Sequence, residues 1–213
     1  MKTYLFDFDG TLVDSMPTYV AALLRVLDEN GVPYGDDLIK IVTPLGLEGA
    51  AAYFIELGLD MPKDEIVAQM KSYMYEEYLH RIPAKRHVVS TLQALKARGA
   101  DLNVLTASPH LTLDPCLKRL GIYDLFSHVW SCEDFATTKA DPAIYRMAAE
   151  AIGAPVEEIL FLDDNLNADR TAKAAGMRVC GVYDDCSRDY VEDMKREADY
   201  YIDDFAQLLT LFE

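Results

Sequence analysis

Basic residues are scarce in this sequence. It holds 20 Lys and Arg against 36 Asp and Glu, which gives a formal net charge of −16 at pH 7. Nucleic acids and anionic membrane surfaces are bound by basic protein faces, so this balance argues against both as partners. The overall field would not attract an anionic small molecule either, and recognition of such a ligand would therefore have to be local.

Long apolar runs and paired cysteines are also missing. No apolar run reaches the ~18 residues of a membrane-spanning helix, and Asp7 precedes any stretch long enough to be the core of a secretion signal. Cys116, Cys132, Cys180 and Cys186 show no CxxC spacing, so we expect reduced thiols and no zinc site. These absences lead us to expect a cytoplasmic protein.

Apolar residues are plentiful, at 51% of the chain, and from residue 84 onward short apolar runs alternate with amphipathic stretches. The predicted strands, including one at the start of the chain, are Tyr4 to Phe8, Leu102 to Thr106, Phe126 to Ser131, Ile159 to Leu162, Val179 to Val182 and Tyr200 to Ile202. Helical patterns lie between them, several followed by glycine. This alternation predicts an α/β fold with a Rossmann-like parallel sheet covered on both faces.

Residues 15–83 follow a different pattern. Helical stripes of apolar residues run from Val20 to Leu27, from Glu48 to Leu57 and from Ile66 to Met74. No strand-like segment interrupts them. We therefore predict a core domain made of residues 1–14 and 84–213, with a helical domain, residues 15–83, inserted after its first strand.

The strongest chemical signal is DFDGTLVDS at residues 7–15, directly after the first predicted strand. Asp7 and Asp9 lie two residues apart, so on an extended backbone their carboxylates face the same side. Gly10 lets the chain turn sharply at the carboxyl end of the strand, which is the edge where parallel α/β sheets bind ligands. Taken alone, this segment is also compatible with a solvated acidic turn.

A second acidic pair, Asp163 and Asp164, follows the strand Ile159 to Leu162. If this strand lies beside the first one, four carboxylates, including those of Asp7 and Asp9, crowd one edge of the sheet. Like charges 4 Å apart repel by roughly 1 kcal/mol in water and about 4 kcal/mol at an effective dielectric constant near 20. The four acids would not all stay ionised without a cation. An oxygen-only cluster suits Mg²⁺, whereas zinc or copper would need His or Cys nearby.

Two weaker signals lie at the ends of other segments. Thr106 ends a predicted strand, where its hydroxyl and the next backbone N–H could hold an anion, although many threonines simply finish a strand. Lys139 lies in a loop before a predicted helix, where a lone lysine is usually a solvated charge. Both residues follow strands of the same predicted sheet, so their side chains would reach the same edge as the acidic pairs.

The order of these motifs (DFDGT, a strand-end Thr, a Lys, then DD) resembles that of the haloacid dehalogenase (HAD) superfamily of phosphotransferases. The resemblance covers essentially the whole chain, and the helical insertion is similar to the cap of the phosphoglycolate phosphatase and β-phosphoglucomutase branch. It implies the sheet order 5-4-1-2-3, which makes strands one and four neighbours. The sequence departs from the family pattern at three positions. Relatives commonly carry Gly in place of His87, Asn or Ser in place of Ala107, and Pro in place of Ala140.

The resemblance also implies roles for the catalytic candidates. Asp7 would attack phosphorus and become an aspartyl phosphate. Asp9 would protonate the leaving oxygen and then activate water. Thr106 and Lys139 would hold the transferring phosphoryl group, so that charge is placed in advance where the reaction needs it.

The implied cofactor is Mg²⁺. Its ligands would be Asp7, the backbone carbonyl of Asp9 and the pair formed by Asp163 and Asp164. Of this pair, Asp164 better matches the metal-binding Asp of the family.

The implied function is a Mg²⁺-dependent phosphomonoesterase acting on a small phosphorylated metabolite, similar to phosphoglycolate or a sugar phosphate. Mutase relatives carry a His in the first cap helix and an Arg in the cap loop. Here Tyr19 stands at the first position and the loop 43–49 has no Arg, which favours water as the phosphoryl acceptor. A β-phosphoglucomutase-type mutase and a catalytically silent Mg²⁺- or phosphate-binding module remain alternatives. Dehalogenase relatives lack the second Asp, so Asp9 argues against that activity.

Overall fold

The computed structural model describes residues 2–42 and 45–211. Thr43 and Pro44, two positions of the loop compared above with mutases, lie outside the described residues. The chain divides into two compact units, one formed by Met1–Asp14 and Pro83–Glu213 and the other by Ser15–Ile82. Within the described parts of the chain, none of the helices has the length and apolarity that crossing a lipid bilayer requires.

The first unit is built on a six-stranded parallel sheet. Its strands are β1 (Thr3–Phe6), β2 (Asp101–Thr106), β3 (His128–Ser131), β4 (Ile159–Asp163), β5 (Arg178–Val182) and β6 (Tyr200–Ile202). They lie in the order β3-β2-β1-β4-β5-β6. The predicted parallel sheet, with strand one between strands two and four, is confirmed, and β6 extends it at one edge.

The described residues of the second unit form helices joined by turns and loops, with no strand among them. Its helices are α1 (Met16–Glu29), α2 (Leu38–Val42), α3 (Gly46–Glu56) and α4 (Lys63–His80). They share a core in which Leu23, Leu27, Phe54, Ile66 and Met70 are fully buried. The sequence pattern did not indicate α2, because five residues are too few to establish a helical period.

The remaining helices belong to the first unit and lie between its strands in the chain. They are α5 (Val88–Ala97), α6 (His110–Arg119), α7 (Pro142–Ile152), α8 (Leu166–Ala175) and α9 (Val191–Glu197). The local sequence sets their ends. The Asp141 carboxylate caps α7 by accepting the backbone N–H of Ala143, and Pro142 occupies the first turn, where its missing N–H costs nothing.

The register of the sheet brings distant motifs to one edge. In β1, Phe6 is paired with Val104 of β2 and with Leu162 of β4. The residues that follow these strands therefore emerge side by side at the carboxyl ends, where parallel sheets bind ligands. β1 begins one residue earlier than predicted and ends two residues earlier, at Phe6, so that Asp7 begins the turn out of the sheet.

Candidate active site

A pocket of about 410 Å³ opens at the carboxyl ends of the strands in the first unit. Its lining includes every side chain that the sequence analysis singled out for chemistry: Asp7, Asp9, Thr106, Lys139, Asp163 and Asp164. The chain thus brings together residues that are up to 157 positions apart by folding β1, β2 and β4 side by side.

Lys139 bridges two of the carboxylates. Its Nζ lies 2.5 Å from Oδ1 of Asp7 and 2.8 Å from Oδ2 of Asp163. All three side chains are largely shielded from solvent, with 15%, 6% and 1% of their surface exposed, respectively. A buried charge needs a partner of opposite sign. Lys139 is therefore a fixed part of the acidic cluster, not a solvated loop lysine.

Asp7, Asp163 and Asp164 each offer a carboxylate oxygen, and these oxygens lie within 4.8 Å of one another. Such an all-oxygen donor set fits a hard divalent cation such as Mg²⁺. The Asp163 oxygens are already engaged, since Oδ1 accepts the backbone N–H of Asn165 at 2.8 Å and Oδ2 faces Lys139. This favours Asp164 over Asp163 as a direct ligand.

The Asp164 carboxylate is held on one side only. Its Oδ1 accepts a hydrogen bond from the Thr11 hydroxyl at 3.0 Å. Within residues 2–42 and 45–211, its Oδ2 has no hydrogen-bond partner. The DFDGT segment and the second acidic pair are thus linked directly, and one oxygen of Asp164 is left to meet a cation.

The Asp9 carboxylate lies outside the three-carboxylate cluster. Its Oδ2 accepts a hydrogen bond from the Ser108 hydroxyl, in the loop after β2. The same loop turns back on itself, because the Ser108 backbone N–H donates to Oγ1 of Thr106 at 3.1 Å. A metal contact from Asp9 would have to come from its backbone carbonyl, as the family resemblance implies.

Burial dominates the electrostatics of the pocket. It raises the pKa of Asp7 to about 7, although the Lys139 ammonium opposes that rise. Burial also raises the pKa of Asp164 well above its usual value, with further contributions from Asp163, Asp7 and Asp184. A bound cation acts in the opposite direction, because an adjacent positive charge favours the ionised carboxylate.

Burial and the neighbouring carboxylates act in opposite directions on the pKa of the Lys139 ammonium group. Burial by itself lowers the pKa of its ammonium group, but the charges of Asp163 and Asp7 outweigh burial and raise the pKa well above its ordinary value. Lys139 therefore stays protonated and can offer a permanent positive charge to an anionic group in the pocket.

Several residues that shape the site were not identified from the sequence. The Tyr145 hydroxyl lies 3.1 Å from the Lys139 carbonyl and 3.2 Å from the Ala168 carbonyl. Ser108 contacts Asp9. No pattern in the sequence separates this tyrosine from other buried helix residues or this serine from other loop serines, because both act through tertiary contacts.

The three departures from the family pattern are accommodated. Ala107 and Ala140 line the pocket and add no polar group to it. His87 adopts the left-handed conformation with φ +62°, the region that a glycine enters without strain. Its Nδ1 lies 2.7 Å from Oδ1 of Asp204, a contact that glycine cannot make.

Known proteins resemble this chain over most of its length. It is 29% identical over 179 residues to pyrophosphatase PpaX of Bacillus velezensis, covering 84% of this chain and 81% of that protein. It is 30% identical over 190 residues to phosphoglycolate phosphatase of Colwellia psychrerythraea, covering 85% and 84%, respectively. The crystal structure of a predicted phosphoglycolate phosphatase from Haemophilus somnus matches with a TM-score of 0.83 at 26% identity, covering 100% of this chain and 98% of that one.

The family assignment rests on a sequence model that matches most of the chain. The sequence model of the haloacid dehalogenase-like hydrolases matches residues 1–176, a range that contains all of the pocket residues described above. The chain therefore belongs to the haloacid dehalogenase-like hydrolase family, as the order of its motifs indicated.

Proposed function

We propose that the protein is a Mg²⁺-dependent phosphomonoesterase that hydrolyses a small phosphorylated metabolite, similar to phosphoglycolate or a sugar phosphate. The observation that carries the proposal is the buried bridge of Lys139 between Asp7 and Asp163, beside the open oxygen of Asp164. The two curated relatives described above are named as a pyrophosphatase and a phosphoglycolate phosphatase, which supports hydrolysis of a phosphate compound.

The first step is nucleophilic attack by Asp7. A carboxylate oxygen of Asp7 forms a bond to phosphorus while the bond from phosphorus to the substrate oxygen breaks. Asp9 gives its proton to that oxygen, which leaves as an alcohol. An aspartyl phosphate remains on Asp7, and Asp9 is left ionised.

The second step returns both residues to their starting states. The Asp9 carboxylate accepts a proton from a water molecule as the water oxygen attacks phosphorus. The bond between phosphorus and Asp7 breaks, and inorganic phosphate leaves.

Charge stabilisation falls to Lys139 and Thr106, which we place against the phosphoryl oxygens. When bound, Mg²⁺ would supply further positive charge to those oxygens and keep Asp7 ionised. We propose that it is held by Asp7, Asp164 and the backbone carbonyl of Asp9, while Asp163 orients Lys139.

The experiment is an assay of phosphate release from 2-phosphoglycolate, pyrophosphate, glucose 6-phosphate and glucose 1-phosphate, each with Mg²⁺ and with a chelator. Asp7→Asn is the blank, and Asp14→Asn is the matched control, because Asp14 is an exposed aspartate of the same motif. We expect Mg²⁺-dependent release by the wild type and Asp14→Asn, and none by Asp7→Asn. Release that is unchanged in Asp7→Asn would remove the nucleophile from the proposal.

The same assay separates the alternatives. Conversion of glucose 1-phosphate into glucose 6-phosphate without phosphate release would identify a mutase. Mg²⁺ binding without either reaction would identify a silent binding module. Asp9→Asn should slow both steps, and full activity in that variant would show that another group transfers the proton.

The cytoplasmic location of the protein remains a prediction.

A further inference from the structure

Lys85 is a largely buried lysine that the proposed chemistry does not use. It belongs to the sheet unit, and only 18% of its side-chain surface is exposed. Its Nζ donates to the carbonyl oxygens of Gly10 and Tyr183, each at 2.5 Å, and to Oδ2 of Asp184 at 2.9 Å. Its backbone N–H also donates to the carbonyl of Leu12 at 3.0 Å. All three donor directions of the ammonium group are therefore used.

The segment that Lys85 holds is the one that touches Asp164. Thr11, between the two residues bonded by Lys85, donates its hydroxyl to Oδ1 of Asp164. The backbone of Gly10 approaches the same carboxylate so closely that an ideal Cβ at position 10 would lie 2.5 Å from Oδ2. A shift of the loop at Gly10 would therefore move against Asp164 or away from it.

Lys85 also forms an ion pair with a further carboxylate, that of Asp184. Asp184 is 5% exposed and lies just after β5, and its negative charge is among those that act on Asp164. Its Oδ1 accepts the backbone N–H of Cys186 at 2.9 Å, so the carboxylate is fixed on both sides. Without Lys85, Asp184 would be a buried charge with no ionic partner among the described residues, which is unfavourable.

We infer that Lys85 is a positioning residue for divalent cation binding. It ties the loop at Gly10 to Asp184 and thereby fixes the place of the Asp164 carboxylate. The inference rests on the proposed function, because it takes Asp164 to be a ligand of the cation. It assigns a role in cation binding to Lys85, which does not touch the cation and which acts through its hydrogen bond to the main-chain carbonyl of Gly10.

Whether removal of Lys85 weakens or strengthens cation binding distinguishes a positioning role from a purely electrostatic one. If Lys85 acted only as a positive charge close to the acidic cluster, its removal would strengthen cation binding. If it positions Gly10 and Asp164, its removal weakens cation binding despite the more negative site. Residues that orient metal ligands typically change metal affinity by about 10- to 100-fold when they are replaced.

The test compares Lys85→Met with Lys173→Met. Lys173 is the matched control, because its Nζ also donates to a main-chain carbonyl, of Glu197 at 2.7 Å, and to a carboxylate, of Asp199 at 3.0 Å. Mg²⁺ binding to the full-length protein is measured by calorimetry without substrate, and folding is checked by circular dichroism. We expect the Kd for Mg²⁺ to rise by about tenfold or more in Lys85→Met and to stay unchanged in Lys173→Met.

Unchanged or tighter Mg²⁺ binding by folded Lys85→Met would overturn the inference. If that variant does not fold, the double variant Lys85→Met/Asp184→Asn removes both charges and leaves no unpaired carboxylate. The double variant should also bind Mg²⁺ more weakly than Asp184→Asn alone, and equal binding by the two would refute positioning. Failure of the proposed function looks different, because wild-type phosphate release would then be absent or independent of Mg²⁺.

Discussion

Gly10 and Asp164 meet at a distance that only glycine allows. An ideal Cβ built on Gly10 would lie 2.5 Å from Oδ2 and 2.6 Å from Cγ of Asp164. Gly10 also has a φ of +74°, which places it in the left-handed region. The glycine of the DFDGT motif therefore serves both the turn out of β1 and the close approach of the backbone to a carboxylate from the loop after β4.

Gly10→Ala is expected to abolish most of the metal-dependent activity. The new methyl group must displace the Asp164 carboxylate, and a misplacement of about 1 Å in an active site can cost on the order of 100-fold in rate. The left-handed backbone adds roughly 1 kcal/mol of instability. The measurements are the Mg²⁺-dependent rate of phosphate release and the free energy of unfolding in urea.

Gly121→Ala separates the clash from the backbone strain. Gly121 has a φ of +70°, but nothing lies within 4 Å of its ideal Cβ. This variant should lose similar stability and keep its activity. Equal activity losses in the two variants would show that contact with Asp164 is not the cause.

The individual strands and helices could be predicted because the patterns that indicate them are local. The buried run Ile159–Asp163 and the glycine that ends α7 are visible in short windows of sequence. The prediction that β1 and β4 are neighbours came from the family resemblance, because pairing between segments so far apart in the chain leaves no local sequence pattern. The short helix α2 was missed for the related reason that it contains little more than one turn.

The candidate site was predictable where its residues stand at strand ends. Asp7 and Asp163 directly follow or end buried strands, so topology alone brings them to one edge. Lys85 and Tyr145 were not predictable, because each acts through hydrogen bonds to main-chain carbonyls of other segments. A carbonyl has no side-chain signature, and its partners cannot be deduced from residue types.

Tyr145→Phe is expected to loosen the loop that carries Lys139. The Tyr145 hydroxyl is fully buried between the carbonyls of Lys139 and Ala168, and its removal leaves both without that donor. We expect a loss of about 1 to 2 kcal/mol in the free energy of unfolding and a fall in kcat. Urea unfolding and steady-state kinetics measure the two effects.

The matched control for that substitution is Tyr190→Phe. Tyr190 is 54% exposed, so its hydroxyl can exchange protein contacts for water. Its loss should change neither stability nor kcat. If Tyr145→Phe also leaves kcat unchanged while stability falls, the tyrosine supports the fold but does not position Lys139.

Ser108→Ala is expected to reduce kcat by removing the hydroxyl that donates to the Asp9 carboxylate. A hydrogen bond to a charged group contributes about 1.5 to 3 kcal/mol, so the rate should fall by roughly 10- to 100-fold. The measurement is kcat at saturating substrate and Mg²⁺. Ser108→Thr keeps the hydroxyl and should restore part of the rate.

Ser127→Ala controls for the loss of a serine–aspartate contact as such. The Ser127 hydroxyl donates to Oδ1 of Asp101 at the start of β2, away from the carboxyl ends of the strands. This variant should keep the wild-type kcat. A Ser108→Ala enzyme with the same kcat as Ser127→Ala would show that Asp9 needs no help from the β2 loop.

His110 should make a pH-dependent contribution to stability. Its Nδ1 lies 2.8 Å from Asp114 and its Nε2 lies 2.8 Å from Asp134. Hydrogen bonds to Asp114 and then Asp134 raise the pKa of His110 above its usual value of 6.5. A histidine whose pKa is higher in the folded state stabilises the fold below its unfolded pKa, and that stabilisation is lost as pH rises through the folded pKa.

The measurement is the difference in Tm between the wild type and His110→Gln from pH 6 to pH 9. We expect a difference at pH 6 that shrinks toward pH 9. The imidazole side chain is 40% exposed, so the stabilisation at pH 6 should be at most about 1 kcal/mol. His80→Gln is the control, because His80 is 57% exposed and contacts Glu76 at 3.5 Å. A His110→Gln difference that stays constant across this range would mean that the imidazole stabilises the fold by packing or neutral hydrogen bonding, not by its charge.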